Sequence, residues 1–89
     1  MQSVVIINEE CHGFIGIAKD YENAIYFLID HGWLNGATDV YYGDKWVSLT
    51  AVLGEDWESK ILAFGFDDFC DFFDGSFYLS IEIIFERNS

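Results

Sequence analysis

The chain has 89 residues, 52% of them hydrophobic and 19% aromatic, with no proline; such a composition excludes an intrinsically disordered acidic chain, which is poor in aromatic and β-branched residues. Residues 1–89 read as a single domain without a linker or low-complexity tract. Sixteen acidic residues against four basic ones give a net charge of −12, beyond the magnitude of about 2–8 that keeps a small domain soluble, which sets aside direct binding to nucleic acid or to anionic membranes and favours a basic protein as partner.

Ser3–Ile7 (SVVII) is a β-branched apolar run suited to a central strand buried on both faces. Phe14–Ala18 (FIGIA) is expected to return beside it as a hairpin, although Gly13 and Gly16 weaken a strand. Asp20 is a helix N-cap, and Ala24, Ile25, Leu28 and Ile29 line one face of the helix that follows, up to Gly32 after His31. Thr38–Tyr42 (TDVYY) reads as a short strand, GDKW as a turn, and Ser48 as the cap of a short helical piece ending at Gly54. A second full helix is predicted over Glu55–Phe64, burying Trp57, Ile61 and Phe64. Gly65 ends it, Asp67 caps a third, and Gly75 closes that one. From Ser76 the sequence SFYLSIEIIFE alternates as a long strand, with Phe77, Leu79, Ile81 and Ile83 on one face. The order ββ-α-β-α-α-β describes an α+β fold, a small three- to four-stranded, mainly antiparallel sheet covered by about three helices.

Catalytic and cofactor motifs do not emerge. Neither GFIG nor GATDVYYG matches a dinucleotide or P-loop pattern, and the serines lack the company of a hydrolytic triad. Cys11-His12 is the nearest approach to a nucleophile pair, but adjacent strand residues point to opposite faces. The two Cys and two His lack zinc spacing. DDFCDFFDG places Phe69 where a calcium loop needs an oxygen. No cofactor, no metal and no enzymatic activity are therefore expected. Cys11 and Cys70 do not make a disulfide framework, and the first residues lack the basic segment and long apolar run of a signal peptide. A cytoplasmic protein with reduced thiols is the expectation.

The densest signal is GFDDFCDFFDG, residues 65–75. On a helical wheel of about 100° per residue, Phe66, Phe69, Cys70 and Phe73 fall in one arc and Asp67, Asp68, Asp71 and Asp74 in the opposite one. Asp67 and Asp68 suit a helix N-terminus, whereas Asp71 and Asp74 lie toward the end where the dipole disfavours an anion by about 0.3–1 kcal/mol. No Lys or Arg lies between Lys60 and Arg87 to neutralise them. Positions 67 and 71 stand about 6 Å apart along a helix axis, a step of the order of neighbouring phosphates on one strand. Asp67, Asp68, Asp71 and Asp74 are thus the candidate partner-binding residues, with Glu55, Asp56 and Glu58 extending the row if the two helices abut. Trp33, Tyr41, Tyr42, Trp46 and Tyr78 are candidates for an interface or for the rim of the core.

In size, in its −12 charge and in acid-rich stretches such as DDFCDFFD, the chain resembles the small acidic inhibitors encoded by phages and mobile elements, the anti-CRISPR and antirestriction proteins that mimic DNA. NAIYFLIDHGWL and FFDGSFYLSIEIIFE share the look of short phage proteins. The resemblance is one of class and assigns no residue. It implies competitive occlusion of the basic nucleic-acid-binding surface of a nuclease or other nucleic-acid-handling protein inside a bacterial host, by a monomer or homodimer. An immunity protein or antitoxin for a basic toxin would use the same physics. A structural subunit that self-associates through its aromatics is the alternative from another class.

Overall fold

The computed structural model describes residues 2–84. In chain order the elements are β1 (Gln2–Glu9), β2 (Gly13–Ala18), α1 (Tyr21–Asp30), β3 (Asp39–Tyr42), β4 (Lys45–Ser48), α2 (Leu49–Leu53), α3 (Trp57–Ala63), α4 (Phe66–Phe72) and β5 (Phe77–Ile84). The architecture is α+β, with five antiparallel strands in two sheets and four helices among the described residues. The expected end of the last strand, Phe85 and Glu86, lies outside those residues.

β1 is the middle of a three-stranded sheet ordered β2-β1-β5. Pairing Ile7 with Leu79 and Glu9 with Phe77 puts Val5, Ile7, Phe77 and Leu79 on one face. There they join Ala24, Ile25 and Leu28 of α1 and Phe69 and Phe73 in a single core. α1 begins at Asp20, whose Oδ1 accepts from the Asn23 N–H at 2.9 Å, and ends before Gly32 at φ 77°. Gly16 has a packing reason within β2: a Cβ there would stand 2.4 Å from the Phe27 ring of α1.

β1 is central, as expected, but its burial on the second face is only partial. The helices cover one face only. On the other, Val4 is buried and Ile6 half-buried between the flanking strands, while Phe14, Ile17 and Tyr78 are exposed. The radius of gyration of 14.1 Å exceeds the roughly 12 Å typical of a compact chain this long.

β4 corrects the reading of GDKW as a turn alone. Only Gly43 and Asp44 turn, both with positive φ (61° and 65°), the signature of a type I′ hairpin. Lys45 and Trp46 already pair with Tyr42 and Tyr41. The resulting two-stranded sheet is anchored by buried Val40 and leads directly into α2. There Ser48 Oγ accepts from the Ala51 N–H at 3.3 Å.

Candidate binding surface on α4 and the β3–β4 hairpin

α4 takes its place because its phenylalanines have a core to enter. Phe69 and Phe73 are buried with ring centroids 4.5 Å apart, and Phe69 also meets Tyr21 edge-on at 6.1 Å. Phe66, Cys70 and Phe72 are half-buried, and Asp67, Asp68 and Asp71 are exposed, so the segregation of the wheel holds along the helix. Two boundaries differ from expectation. Gly65, not Asp67, is the N-cap, which places Asp67 and Asp68 in the first turn. The helix also stops at Phe72, and Asp74 lies beyond it. Gly75 at φ 83° lets the chain reverse there, and the Phe73 carbonyl receives the N–H groups of Ser76 and Phe77. Turning at this point carries Phe77 into the core; a longer helix would not.

The hairpin stands beside this face. Tyr41, Tyr42, Phe64, Asp68, Asp71 and Phe72 line one open groove of about 390 Å³. Glu10, Tyr41, Trp46, Asp74 and Gly75 line a second of about 340 Å³. Tyr41 belongs to both and meets Trp46 edge-on at 5.5 Å. Tyr41, Tyr42 and Trp46 are each more than half exposed. Among the described residues the ion pairs are His12–Glu9 and Lys60–Asp56, so none of Asp67, Asp68, Asp71 and Asp74 has a cationic partner. Asp68 also reaches Tyr21, whose hydroxyl donates to the Ile61 carbonyl at 2.6 Å. Burial first, and then the Asp68 charge, pushes the Tyr21 hydroxyl well above its ordinary value.

The acids of the preceding segment go elsewhere. Glu55 sits in the turn before α3. Asp56 is the α3 N-cap residue without a capping bond, and it pairs with Lys60 at 3.4 Å while the Lys60 ammonium donates to the Leu53 carbonyl at 2.6 Å. The Tyr26 hydroxyl of α1 is pushed above its ordinary value first by hydrogen bonding to Glu22 and by the Glu22 charge, then by burial, and last by the Glu58 charge. None of Glu55, Asp56 and Glu58 lines either groove.

Cys11 and His12 sit in the β1–β2 turn, arranged around Glu9 rather than as a nucleophile and base. Glu9 Oε1 accepts from both backbone N–H groups at 2.9 Å and lies 2.7 Å from His12 Nδ1. The His12 side-chain bond chiefly holds this carboxyl below its usual range. Among the described residues no three His, Cys, Asp or Glu side chains converge as a metal site, and no helix is long and apolar enough to cross a membrane.

Glu10 was not singled out by sequence, because nothing in the β1–β2 turn connects it with residue 74. The hairpin itself had a signal: two runs of strand-forming residues separated by Gly43-Asp44 alone. No protein-family model, curated protein or solved structure matches this chain.

Proposed function

We propose that this protein is a binding module, not an enzyme, that docks through α4 and the β3–β4 hairpin on a basic surface of a nucleic-acid-handling protein and inhibits it by occupying the place of the nucleic acid. One observation carries the reading. Two carboxylates with no cationic partner among the described residues, Asp68 and Asp71, share a groove with the exposed rings of Tyr41 and Tyr42. An arginine side chain satisfies both halves of that lining, its guanidinium fork bonding a carboxylate while its flat face stacks on a ring. Surfaces built to hold phosphates are rich in arginine and lysine. The −12 net charge would draw such a surface in and make the complex sensitive to salt.

What this surface supports is local recognition by carboxylates and aromatic rings, not a long phosphate-like track. Asp67 and Asp71 keep their helical step of about 6 Å, but Asp74 leaves the helix for the second groove and Glu55, Asp56 and Glu58 line neither. The class resemblance to small phage-encoded inhibitors accords with this mode of action.

The test is tagged capture from lysate with elution in a salt gradient and competition by duplex DNA. Wild type would be compared with the triple variant Asp68→Asn, Asp71→Asn, Asp74→Asn and with Tyr41→Ala, Tyr42→Ala. The expected result is a basic nucleic-acid-handling protein that elutes at moderate salt, is displaced by DNA and is lost from both variants. A partner indifferent to salt, or retained by both variants, removes the reading. The identity of the captured protein separates an inhibitor from an immunity protein for a basic toxin.

A further inference from the structure

β5 pairs with β1 in unbroken register from Glu9 and Phe77 to Gln2 and Ile84, and its other side meets no strand among the described residues. Natural sheet edges are guarded by shortness, lysine, proline or bulges. β5 is eight residues long and contains no lysine, arginine or proline, and the sheet's bulge lies on the far side, opposite β2 between Ile7 and Asn8. Its one charge is Glu82.

The hydrogen-bond parity tells which groups face outward. The Glu10 N–H donates to the Ser76 carbonyl at 2.9 Å, continuing the β1–β5 register by one step. Bonded and non-bonded pairs alternate along an antiparallel ladder. Tyr78, Ser80 and Glu82 therefore turn their backbone groups to β1, and Leu79, Ile81 and Ile83 turn theirs to the open edge. The Leu79 carbonyl agrees: it accepts weakly from the Cys70 thiol of α4 at 3.7 Å, on the side away from β1. Ile81 and Ile83 are 60% and 56% exposed, and Ile81 borders a groove of about 220 Å³ shared with Val5, Tyr21 and Phe66.

We propose that two copies of this chain associate through β5, edge to edge and antiparallel, about a two-fold axis at Ile81. The strand is complementary to itself in that register. Ile81 faces Ile81, Ile83 faces Leu79, and Glu82 faces Ser80, whose exposed hydroxyl is a donor; Glu82 never meets Glu82. The outward N–H and C=O of Ile81 bond reciprocally across the axis, and the isoleucines of both copies close on one face of a continuous six-stranded sheet. A foreign strand would need apolar residues opposite Ile81 and Ile83 and a donor opposite Glu82, and β5 itself supplies both in this register. A contact made by one strand edge is narrow beside the roughly 800 Å² per partner of a standard interface, so the dimer is expected to be reversible. The −12 on each copy opposes it. Salt shortens the screening length from about 10 Å at 0.1 M to about 3 Å at 1 M, so association strengthens with salt, opposite to capture of a basic partner, and the two readings fail independently.

Sedimentation velocity on the full chain, up to sub-millimolar concentration and at about 0.1 and about 1 M NaCl, tests this. Wild type is expected to dimerise, more tightly at high salt. Ile81→Pro removes the outward N–H while sparing the β1 ladder, and is expected to abolish the dimer. Ile81→Thr with Ile83→Thr keeps charge and strand propensity, and is expected to weaken association at least about tenfold. Circular dichroism reports the fold, and if the proline variant unfolds the threonine pair decides. A monomer under all conditions, or a dimer unchanged by the threonine pair, overturns the proposal.

Discussion

Removing the same charge from the two ends of α4 is expected to leave Asp71→Asn more stable than Asp67→Asn. Asp67 lies in the first turn, where the helix dipole favours an anion, and Asp71 lies in the last turn, which has no basic residue. At exposed termini the dipole is worth about 0.3–1 kcal/mol. Asn and Asp have similar helix propensity, and neither side chain caps this helix, so Asp67→Asn loses that amount and Asp71→Asn gains it. Relief of self-repulsion in a chain of net charge −12 adds a similar gain to both and cancels in the comparison. Because α4 has only seven residues, the lower end applies, a difference of about 0.6 kcal/mol or about 2–5 °C in Tm for a domain of this size. Thermal melts followed by circular dichroism at low ionic strength, repeated in salt, measure it. Equal shifts in the two variants would refute the reasoning, and with it the claim that Asp71 is held where the helix disfavours it and so serves something other than folding.

Phe69→Ala removes a fully buried ring packed on Phe73 and Tyr21. It is expected to cost about 3–5 kcal/mol out of a total of about 4–13 kcal/mol at this chain length. A urea titration reads it, and a retained midpoint would displace α4 from the core. Tyr21 is expected to limit stability on the alkaline side. Its folded hydroxyl holds its proton above the ordinary value, so its contribution is intact below the unfolded tyrosine value of about 10 and declines as pH rises past it. Tyr21→Phe is expected to lose about 0.5–1.5 kcal/mol at neutral pH with the Ile61 hydrogen bond and to show a flatter decline than wild type between about pH 8 and about pH 11. Parallel profiles would mean that other groups set the alkaline limit.

The elements legible in sequence are those whose signals are local. Asp20 and Gly32 bound α1 because a carboxylate cap and a positive-φ glycine act on neighbouring backbone groups. β5 follows from strict alternation. Gly-Asp-Lys-Trp has the composition of a turn, which hides the start of β4 at Lys45. The Phe and Asp pattern of the wheel continues through Asp74, two residues past the end of α4 at Phe72, where the turn at Gly75 takes over. The candidate site was half visible. The exposed aspartates of α4 follow from periodicity; the rings that share their groove come from a hairpin far away in sequence.

By itself the sequence determined a folded α+β domain with a phenylalanine core, a large acidic excess and an aspartate face on one helix, since periodicity and charge are properties of neighbouring residues. Tertiary structure decided which acids stand together. It placed Asp68 and Asp71 beside Tyr41 and Tyr42, took Asp74 to a second groove with Trp46 and Glu10, and left Glu55, Asp56 and Glu58 outside both. It also left β5 at the edge of its sheet among the described residues. Those outcomes depend on where the hairpin and α4 pack on a shared core, which residues distant in the chain fix jointly and no local pattern encodes.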